Sequence, residues 1–308
     1  MIREIKRLGK KKLNQFKLKR NRVHLKGNNL KKDLKNLGIE RGDIILIHSS
    51  LKSIGYVVGG AKTVIEAFLY VVGQEGTLLV PTYPRRGSMY NTCNNKNYIF
   101  DYTSKKTAMG AIPSEFLKLR GVFRSIHPTH SISAIGKYAK EITETHHIGD
   151  KTFGENSPWE KLIKLNGKIL GIGITLGPTT QYHYIEDIMG EDFPIKTKVN
   201  KIFKLKCKIG DDKYINVDVN PLDPEVAKTR IDKKDSAFIR NYFWEIYKKL
   251  GILKVGKIGE APSWWVNARR FIEVLMDLAK LNITIYSTKE ELIKNNLYPY
   301  DLISEKLN

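Results

Sequence analysis

Cysteines, acidic residues and long apolar runs are all scarce in this sequence of 308 residues. The two cysteines, Cys93 and Cys207, are too few for a disulfide framework or, alone, for a four-thiolate zinc site. No apolar run reaches the roughly 18 residues that cross a bilayer. The apolar segment of a secretory signal does not follow the basic N-terminus either. These absences predict a reduced, cytoplasmic protein.

Positive charge is abundant, and about half of its excess lies at the N-terminus. Residues 1–26 contain eleven Lys and Arg against one acid, which is +10 of the chain's net charge of +21. Such a segment is typical of a solubilising tail, of a contact with an anionic membrane, or of nucleic acid binding. We predict a basic N-terminal arm at residues 1–28 and leave open whether it brings the protein to the inner membrane.

The remaining sequence alternates between the patterns of strands and helices. Continuous apolar runs at 43–48, 77–80 and 169–174 predict buried strands. Helical spacing or helix-start residues mark 31–37, 62–72, 111–119, 137–146, 157–165, 180–188, 236–250 and 263–280. A short strand is predicted near 253–258, and the strands 201–209 and 213–219 are joined by Gly-Asp-Asp, which indicates a β-hairpin.

This order of elements predicts the fold class. We expect an α/β protein with a single large domain at 29–290, a C-terminal tail at 291–308, a central mixed sheet flanked by helices, a β-hairpin insertion and the basic arm. Residues 83–106 are polar and too numerous for a simple connection, so they predict a functional loop or lid.

The first polar segment of chemical interest follows the predicted strand at 43–48. Open α/β sheets bind ligands at the carboxyl ends of strands, and the N-terminus of a helix attracts anions. The segment matches neither the Walker A nor the Rossmann glycine pattern, and a plain turn with a helix cap is the alternative. The candidate contacts to an extended, phosphate-bearing cofactor are His48, Ser49, Ser50, Leu51, Lys52, Ser53, Ile54, Gly55, Gly59 and Gly60.

A second polar segment covers residues 124–133. Arg124 is a candidate for a bidentate phosphate clamp, and Ser125 and Ser131 add neutral hydrogen-bonding groups. His127 and His130 have no acidic or thiol partner at a metal-binding spacing, so we predict structural histidines and no metal site.

A third segment follows the predicted strand at 169–174 and contains His183 and Glu186. Three residues apart on a helix, the two side chains share one face, and Glu186 can accept from one imidazole nitrogen while the other takes a proton. The alternative is a surface helix with an ordinary His–Glu ion pair. Neither cysteine has the surroundings of a nucleophile and no Gly-x-Ser-x-Gly turn is present, so direct transfer is favoured over a covalent enzyme intermediate.

Six runs, in a fixed order over residues 38–280, together resemble one family. They are HSSLKSIGYVVGGAKTVIEAF, GTLLVPTY, RSIHPTHSISAIG, FGENSPWEKL, ILGIGITLGPTTQYHYIED and, more loosely, IGEAPSWWVNARRFIEVL. The sequence resembles the aminoglycoside 3-N-acetyltransferases. The resemblance implies an α/β fold and acetyl transfer from acetyl-CoA to an amine of a sugar-like acceptor.

The resemblance also implies roles for particular residues. It makes His183 the catalytic histidine and Glu186 the acid that holds it, with Thr180 or nearby amides at the oxyanion. The segments 49–60 and 124–133 correspond to the family's coenzyme A site. One departure is the pair Thr179-Thr180 after Pro178, where the family usually has Asn-Thr.

The charge of the chain bears on the identity of the acceptor. A strongly basic chain attracts a polycationic aminoglycoside poorly, although Glu186, Asp187, Glu191 and Asp192 form a local acidic group. We therefore expect an amino sugar on an anionic carrier, such as a nucleotide-linked precursor of a surface polysaccharide. The alternatives are an aminoglycoside acetyltransferase that confers antibiotic resistance, a nucleic-acid-binding protein that uses the arm, and an inactive family member that serves as a binding module.

Overall fold

The protein is described by a computed structural model over residues 24–85 and 87–297. The strands within these ranges are β1 His24–Leu25, β2 Ile44–Ser49, β3 Tyr56–Val57, β4 Thr77–Pro81, β5 Phe100–Asp101, β6 Phe123–Arg124, β7 Ile132–Gly136, β8 Lys168–Ile172, β9 Phe203–Gly210, β10 Lys213–Val219, β11 Lys254–Ile258 and β12 Ala261–Asn267. The helices are α1 Gly27–Asn36, α2 Leu51–Ile54, α3 Gly60–Val72, α4 Met89–Cys93, α5 Ala111–Phe116, α6 Ala139–Thr143, α7 Pro158–Lys164, α8 His183–Met189, α9 Ala237–Lys249, α10 Ala268–Lys280 and α11 Lys289–Lys294.

A seven-stranded mixed sheet forms the centre, in the order β11-β12-β8-β2-β4-β7-β6. Strands β8, β2 and β4 are parallel, and the other neighbours pair antiparallel. The predicted α/β fold with a central mixed sheet is confirmed. The three parallel strands end at one edge of the sheet, which is where a ligand site of this fold class is expected.

Strand β2 shows how the sheet separates two layers of core. Ile44 and Leu46 pack into the cluster on one face, whereas Ile45 and Ile47 pack into the cluster on the other. Successive side chains of a strand point to opposite faces, so an uninterrupted apolar run is what a strand needs when helices cover both faces. The sequence prediction at 43–48 rests on this pattern and is confirmed within one residue.

The predicted β-hairpin is formed by β9 and β10, and it carries a third strand from the polar region at 83–106. β5 pairs in parallel with β9, with Phe100 opposite Cys207. This small sheet has its own apolar cluster, which includes Phe100, Cys207 and Val217. The polar region is therefore partly structured, since it contains α4 as well as β5, and it leads from β4 to the small sheet.

The prediction of one helix over 263–280 is wrong in its first five residues. Residues 261–267 form β12, which pairs antiparallel with β8, and the helix begins only at Ala268. Asn267 caps that helix, because its side chain accepts from the backbone N–H groups of Arg269 and Arg270. Trp264 and Val266 are buried in the strand and happen to continue the apolar spacing of the helix.

The packed body reaches beyond the predicted domain limits of 29 and 290 at both ends. β1 pairs with β3 and α1 begins at Gly27, so residues 24–28 belong to the body rather than to the arm. At the other end, Leu297 is buried and its carbonyl accepts from the Tyr242 hydroxyl. The remaining parts of the arm, 1–23, and of the tail, 298–308, lie outside the described residues, as does the predicted membrane contact of the arm. No helix in the described part of the chain is long and apolar enough to span a membrane.

Candidate active site

The candidate site lies where β2, β4 and β8 end. His48 and Ser49 close β2, Tyr83 follows β4, and a turn after β8 leads to His183 at the start of α8. A cavity of about 850 Å³ lies at this edge, and Tyr83, Thr180 and His183 are among the residues that line it. The structure thus brings together the first and third polar segments that the sequence singles out.

His183 and Glu186 form a hydrogen-bonded pair at the wall of this cavity. The imidazole Nδ1 lies 2.7 Å from Oε1 of Glu186, and His183 lines the cavity. Because a carboxylate only accepts, Nδ1 carries the proton and Nε2 is left as the basic nitrogen. The i,i+3 spacing therefore predicted the contact correctly. Both side chains are almost fully buried, at 7% and 0% exposure, so the pair is not the ordinary surface ion pair that was the alternative.

Three groups determine the charge state of Glu186. Burial alone would raise the pKa of this carboxyl group, but His183, the Lys198 ammonium and the Tyr286 hydroxyl together hold the pKa below its usual range. The Tyr286 hydroxyl donates to Oε1 at 2.9 Å. Glu186 is consequently an anion beside the imidazole. Tyr286 and Lys198 were missed by the sequence analysis, since neither belongs to a recognisable motif.

Asp187, the next acid of α8, has a different role. Its Oδ2 accepts from the backbone N–H groups of Phe153 at 2.7 Å and Gly154 at 3.1 Å, and its Oδ1 lies 2.8 Å from the Lys198 ammonium. Asp187 therefore orders a loop beside the site. The acidic group predicted from the sequence does not act as one unit.

Thr180 lies on the cavity wall beside His183. Its Oγ1 accepts from the Tyr83 hydroxyl and from the Trp159 indole N–H, both at 3.1 Å. Two donors occupy the oxygen, so the threonine's own proton remains available for an acceptor atom in the cavity. This is the geometry of a positioned neutral hydrogen-bond donor.

A second, smaller cavity of about 160 Å³ adjoins the large one. Tyr83, Met109 and Pro178 line both cavities, so these three residues form the boundary that the two cavities share. His48 and Ser49 line the small cavity beyond this boundary. The His48 Nε2 is buried with no hydrogen-bond partner among the described residues, and burial lowers the pKa of His48 to about 4. A neutral imidazole without a partner is a ready hydrogen-bonding group for a ligand in the small cavity.

The other residues of the first polar segment, 50–60, form a turn that packs partly into the core. The Ser53 hydroxyl lies 2.9 Å from Ser50 Oγ and 3.3 Å from the carbonyl oxygen of Gly173, which ties α2 to the end of β8. The side chain of Ile54 is fully buried in the core, so any ligand contact predicted for this residue does not involve its side chain. Leu51 and Lys52 lie on the same short helix. The glycines have left-handed φ angles of 103° at Gly55, 82° at Gly59 and 64° at Gly60.

The prediction of a phosphate clamp at Arg124 is not supported by the geometry. The guanidinium group is buried and donates to the carbonyl oxygens of Thr82 and Ser104, both at 2.7 Å. Its Nε donates to Ser131 Oγ at 3.2 Å. Arg124 therefore uses these N–H groups to order the connections after β4. The fully buried Ser131 is one of its acceptors. A polar run in a sequence does not reveal that its side chains face inward.

Ser125 contacts a group of three histidines, His127, His130 and His146, here called the histidine cluster. His127 and His146 are buried, whereas His130 is half-buried and lines the large cavity. The Ser125 hydroxyl lies 2.8 Å from His146 Nδ1, while His146 Nε2 lies 2.8 Å from the Thr152 carbonyl oxygen. The carbonyl must accept, so Nε2 carries the proton and Nδ1 accepts from the serine. The rings of His127 and His146 stack with centroids 4.4 Å apart.

The histidine cluster is uncharged. Burial is the main cause that lowers the pKa of His146 to about 3 and those of His127 and His130 well below the usual value. Within the described ranges, no group of three or more His, Cys, Asp or Glu side chains is arranged to hold a metal ion. Cys93 and Cys207 are also buried, which raises the pKa of each thiol to about 12 and keeps both as unreactive thiols.

Comparison with known proteins agrees with this geometry. Residues 46–280 match the family described as aminoglycoside 3-N-acetyltransferase. An aminoglycoside N(3)-acetyltransferase III from Salmonella sp. is 36% identical over 250 residues, which are 78% of this chain and 86% of the relative. One of the same name from Serratia marcescens is 30% identical over 257 residues, 78% of this chain and 91% of the relative.

Solved structures show the same fold. The crystal structure of aminoglycoside acetyltransferase AAC(3)-Xa superposes with a TM-score of 0.74 at 25% identity, over 89% of this chain and 99% of that chain. The complex of AAC-IIIb with CoASH superposes with a TM-score of 0.71 at 23% identity, over 86% of this chain and all of that chain. The chain belongs to the aminoglycoside 3-N-acetyltransferase family, whose members are acyltransferases that move an acetyl group from acetyl-CoA to an amine.

Proposed function

We propose that this protein acetylates the 3-amino group of an aminoglycoside, with His183 as the general base. The observation that carries the proposal is the His183–Glu186 pair, whose imidazole lies at the wall of a cavity large enough for a sugar-like acceptor. The general base has a fixed tautomer and a buried anionic partner, which is the arrangement that proton abstraction from an amine needs.

The residues of the chain act on the proton and on the developing charge. His183 Nε2 takes a proton from the acceptor nitrogen as that nitrogen forms a bond to the thioester carbonyl carbon. Glu186 stabilises the resulting imidazolium through Nδ1–H. The carbon–sulfur bond then breaks, the sulfur leaves with the electron pair, and the imidazolium returns the proton to the thiolate. No covalent intermediate on the enzyme is required.

Thr180 is the candidate donor to the oxyanion of the tetrahedral intermediate. Its hydroxyl proton is free because Tyr83 and Trp159 occupy the oxygen as donors. A donor held in this way costs little reorganisation when negative charge develops on the carbonyl oxygen. Loss of one such donor in other enzymes costs about 10²- to 10³-fold in rate.

The small cavity is the proposed entry for the acetyl-bearing arm of acetyl-CoA. Its unpartnered His48 Nε2 can form a hydrogen bond with an amide of that arm, and the shared boundary at Tyr83, Met109 and Pro178 puts the small cavity next to the one that Thr180 and His183 line. Ser49 and the turn from Ser50 to Gly60 stay in the proposal as the outer part of this donor site. Arg124, Ser125 and Ser131 support the wall from behind and are not proposed as contacts.

The cations at the cavity bear on the acceptor. Lys228 and Arg230 line the cavity in ion pairs, since the Lys228 ammonium lies 2.5 Å from Glu225 and the Arg230 guanidinium makes two hydrogen bonds to Asp232, at 2.6 and 2.8 Å. Pairing weakens the field of these two cations on an ammonium group, but Arg85 and Lys233 also line the cavity and keep its wall basic. The preference for an aminoglycoside over the nucleotide-linked amino sugar expected from the sequence therefore rests on the relatives, which are named for aminoglycosides.

The test is thiol release from acetyl-CoA with three sets of acceptors. We expect turnover with aminoglycosides, none with the same compounds lacking the 3-amino group, and none with nucleotide-linked amino sugars. NMR of the product should place the acetyl group on the 3-nitrogen, and expression in a susceptible bacterium should raise its aminoglycoside tolerance. Turnover with the nucleotide-linked sugars alone would overturn the proposed acceptor, and no binding of acetyl-CoA would overturn the proposed reaction.

A further inference from the structure

Tyr286 lies in the segment between α10 and α11, beyond residue 280 where the family match ends. Its hydroxyl donates to Glu186 Oε1 at 2.9 Å, and the same oxygen receives the N–H of His183 at 2.7 Å. Oε2 of Glu186 is buried with no hydrogen-bond partner among the described residues. Two donors therefore share one carboxylate oxygen, and one of them comes from a part of the chain 100 residues away.

The segment is built to hold the phenol at this place. Ile283 and Ile285 are buried in the main core. The backbone N–H of Tyr286 donates to Thr284 Oγ1 at 3.2 Å, and the N–H of Thr284 donates to Ser287 Oγ at 2.9 Å. This local turn fixes the direction of the tyrosine ring, which is 5% exposed. Because the turn and the buried neighbours already fix the side chain, its hydrogen bond costs little further conformational entropy.

We propose that Tyr286 is a positioning residue which draws charge from Glu186 and thereby limits how tightly the carboxylate holds the imidazolium of His183. The inference rests on the proposed role of His183 as general base. A base must return its proton to the leaving thiolate, so a carboxylate that holds the imidazolium too firmly slows the second half of the reaction. Tyr286 moderates that attraction while it keeps Oε1 turned toward His183.

The chemistry of the phenol agrees with a permanent donor. Burial and the neighbouring carboxylate raise the pKa of Tyr286 well above its usual value, so the hydroxyl keeps its proton throughout the working range. In return, its hydrogen bond is one of the causes that lower the pKa of Glu186. Without the phenol, the carboxylate becomes more basic.

Other charged groups face Glu186 and Tyr286. Lys198 acts on Glu186 from the loop before β9, but its ammonium is paired with Asp187 at 2.8 Å. Arg230 and Asp232 also act on Tyr286, and they are paired with each other. His130 is close to His183 but is uncharged. None of these groups bonds to the Tyr286 hydroxyl, so removal of that hydroxyl leaves their pairings in place.

The first experiment compares Tyr286→Phe with Tyr242→Phe. Tyr242 is a matched control, because its buried hydroxyl donates to the carbonyl oxygen of Leu297 and anchors the same C-terminal region without contact to Glu186. In Tyr286→Phe we expect the acid side of the pH profile of kcat/KM to move to higher pH by about 0.5 to 1 unit. This corresponds to about 3- to 10-fold lower kcat/KM at low pH, the effect of one hydrogen bond. Tyr242→Phe should leave the profile at the wild-type pH.

The second experiment follows the histidine ring resonances by NMR in the protein without substrates, with His183→Gln for assignment. The titration of the His183 ring in Tyr286→Phe should move in the same direction as the rate profile. An unchanged titration and an unchanged profile, with a loss of thermal stability equal to that of Tyr242→Phe, would show a purely structural tyrosine and overturn the inference. If wild type lacks acetyl transfer but the ring titration still moves, the proposed function fails and the inference about Tyr286 and Glu186 stands.

Discussion

His183 and the histidine cluster both pack against Phe153, and they differ in the partners of their rings. The ring of Phe153 is 5.0 Å from that of His183 and 4.9 Å from that of His130, measured between centroids. His183 has a carboxylate on Nδ1 and an open cavity in front of it. The histidine cluster has hydroxyls, carbonyls and backbone N–H groups as partners and no carboxylate.

The difference supports our proposal of His183, and not a ring of the histidine cluster, as the general base. Burial disfavours the charged form of every imidazole, and in the cluster no anion opposes this effect. At His183 the anion Glu186 is within hydrogen-bonding distance and can stabilise the imidazolium as it forms. A fixed tautomer alone is not enough, because His146 has one too. Access to the cavity is not enough either, because His130 lines the same cavity as His183. The carboxylate partner of the ring makes the distinction.

The most direct test of this difference removes one imidazole ring from each place, His183 in one variant and His146 in the other. His183→Ala should lower kcat by about 10³-fold, since a positioned general base contributes about 10²- to 10⁴-fold. Its melting temperature should stay near that of wild type. His146→Gln, which retains an amide donor and acceptor, should keep kcat within about threefold and lose thermal stability instead. Thiol-release kinetics and thermal unfolding of both variants measure the difference. Equal losses of kcat in the two variants would contradict the assignment of roles.

The two adjacent acids of α8, Glu186 and Asp187, test whether the carboxylate partner of His183 makes the difference. Glu186→Gln keeps an oxygen near the imidazole but removes the charge that stabilises the imidazolium, so we expect kcat to fall about 30- to 100-fold with little change in KM. Asp187→Asn weakens the ion pair with Lys198 and the bonds from Phe153 and Gly154. It should cost about 1–3 kcal/mol of unfolding free energy and leave kcat within about fivefold. The opposite ranking of the two kcat values would contradict the division of roles between the acids.

The sequence predicted the parts of this site that depend on neighbours along the chain. His183 and Glu186 meet because a helix brings residues three apart together, and β2 was evident from its apolar run. The hairpin was evident from its turn residues, and Asp212 has the left-handed φ of 53° that such a turn requires. In each case the responsible interaction spans a few residues.

What was missed depends on contacts between distant segments. Tyr286 reaches Glu186 across the fold, and no local pattern marks it. Arg124 was assigned to a ligand because its neighbours are polar, but its partners Thr82 and Ser104 are 42 and 20 residues away and are backbone carbonyls. β12 was assigned to a helix because Trp264 and Val266 continue the apolar spacing of α10, and only its pairing with β8 makes it a strand.

The smallest expected effect concerns the stability of the histidine cluster in acid. The pKa of His146 is about 3 in the folded protein against 6.5 as the ordinary value, so below about pH 6.5 the unfolded chain takes up a proton that the folded chain refuses. As the pH falls from about 6 to 4, this one ring should therefore lower the free energy of unfolding by about 1.4 kcal/mol for each pH unit. His146→Gln should be less stable than wild type at pH 8, and the gap should close or reverse by pH 4.5. Urea unfolding across this range measures the gap between the two proteins. A gap that is constant with pH for His146→Gln would mean that burial does not exclude the proton from the cluster, and the contrast with His183 would then rest on the Glu186 carboxylate alone.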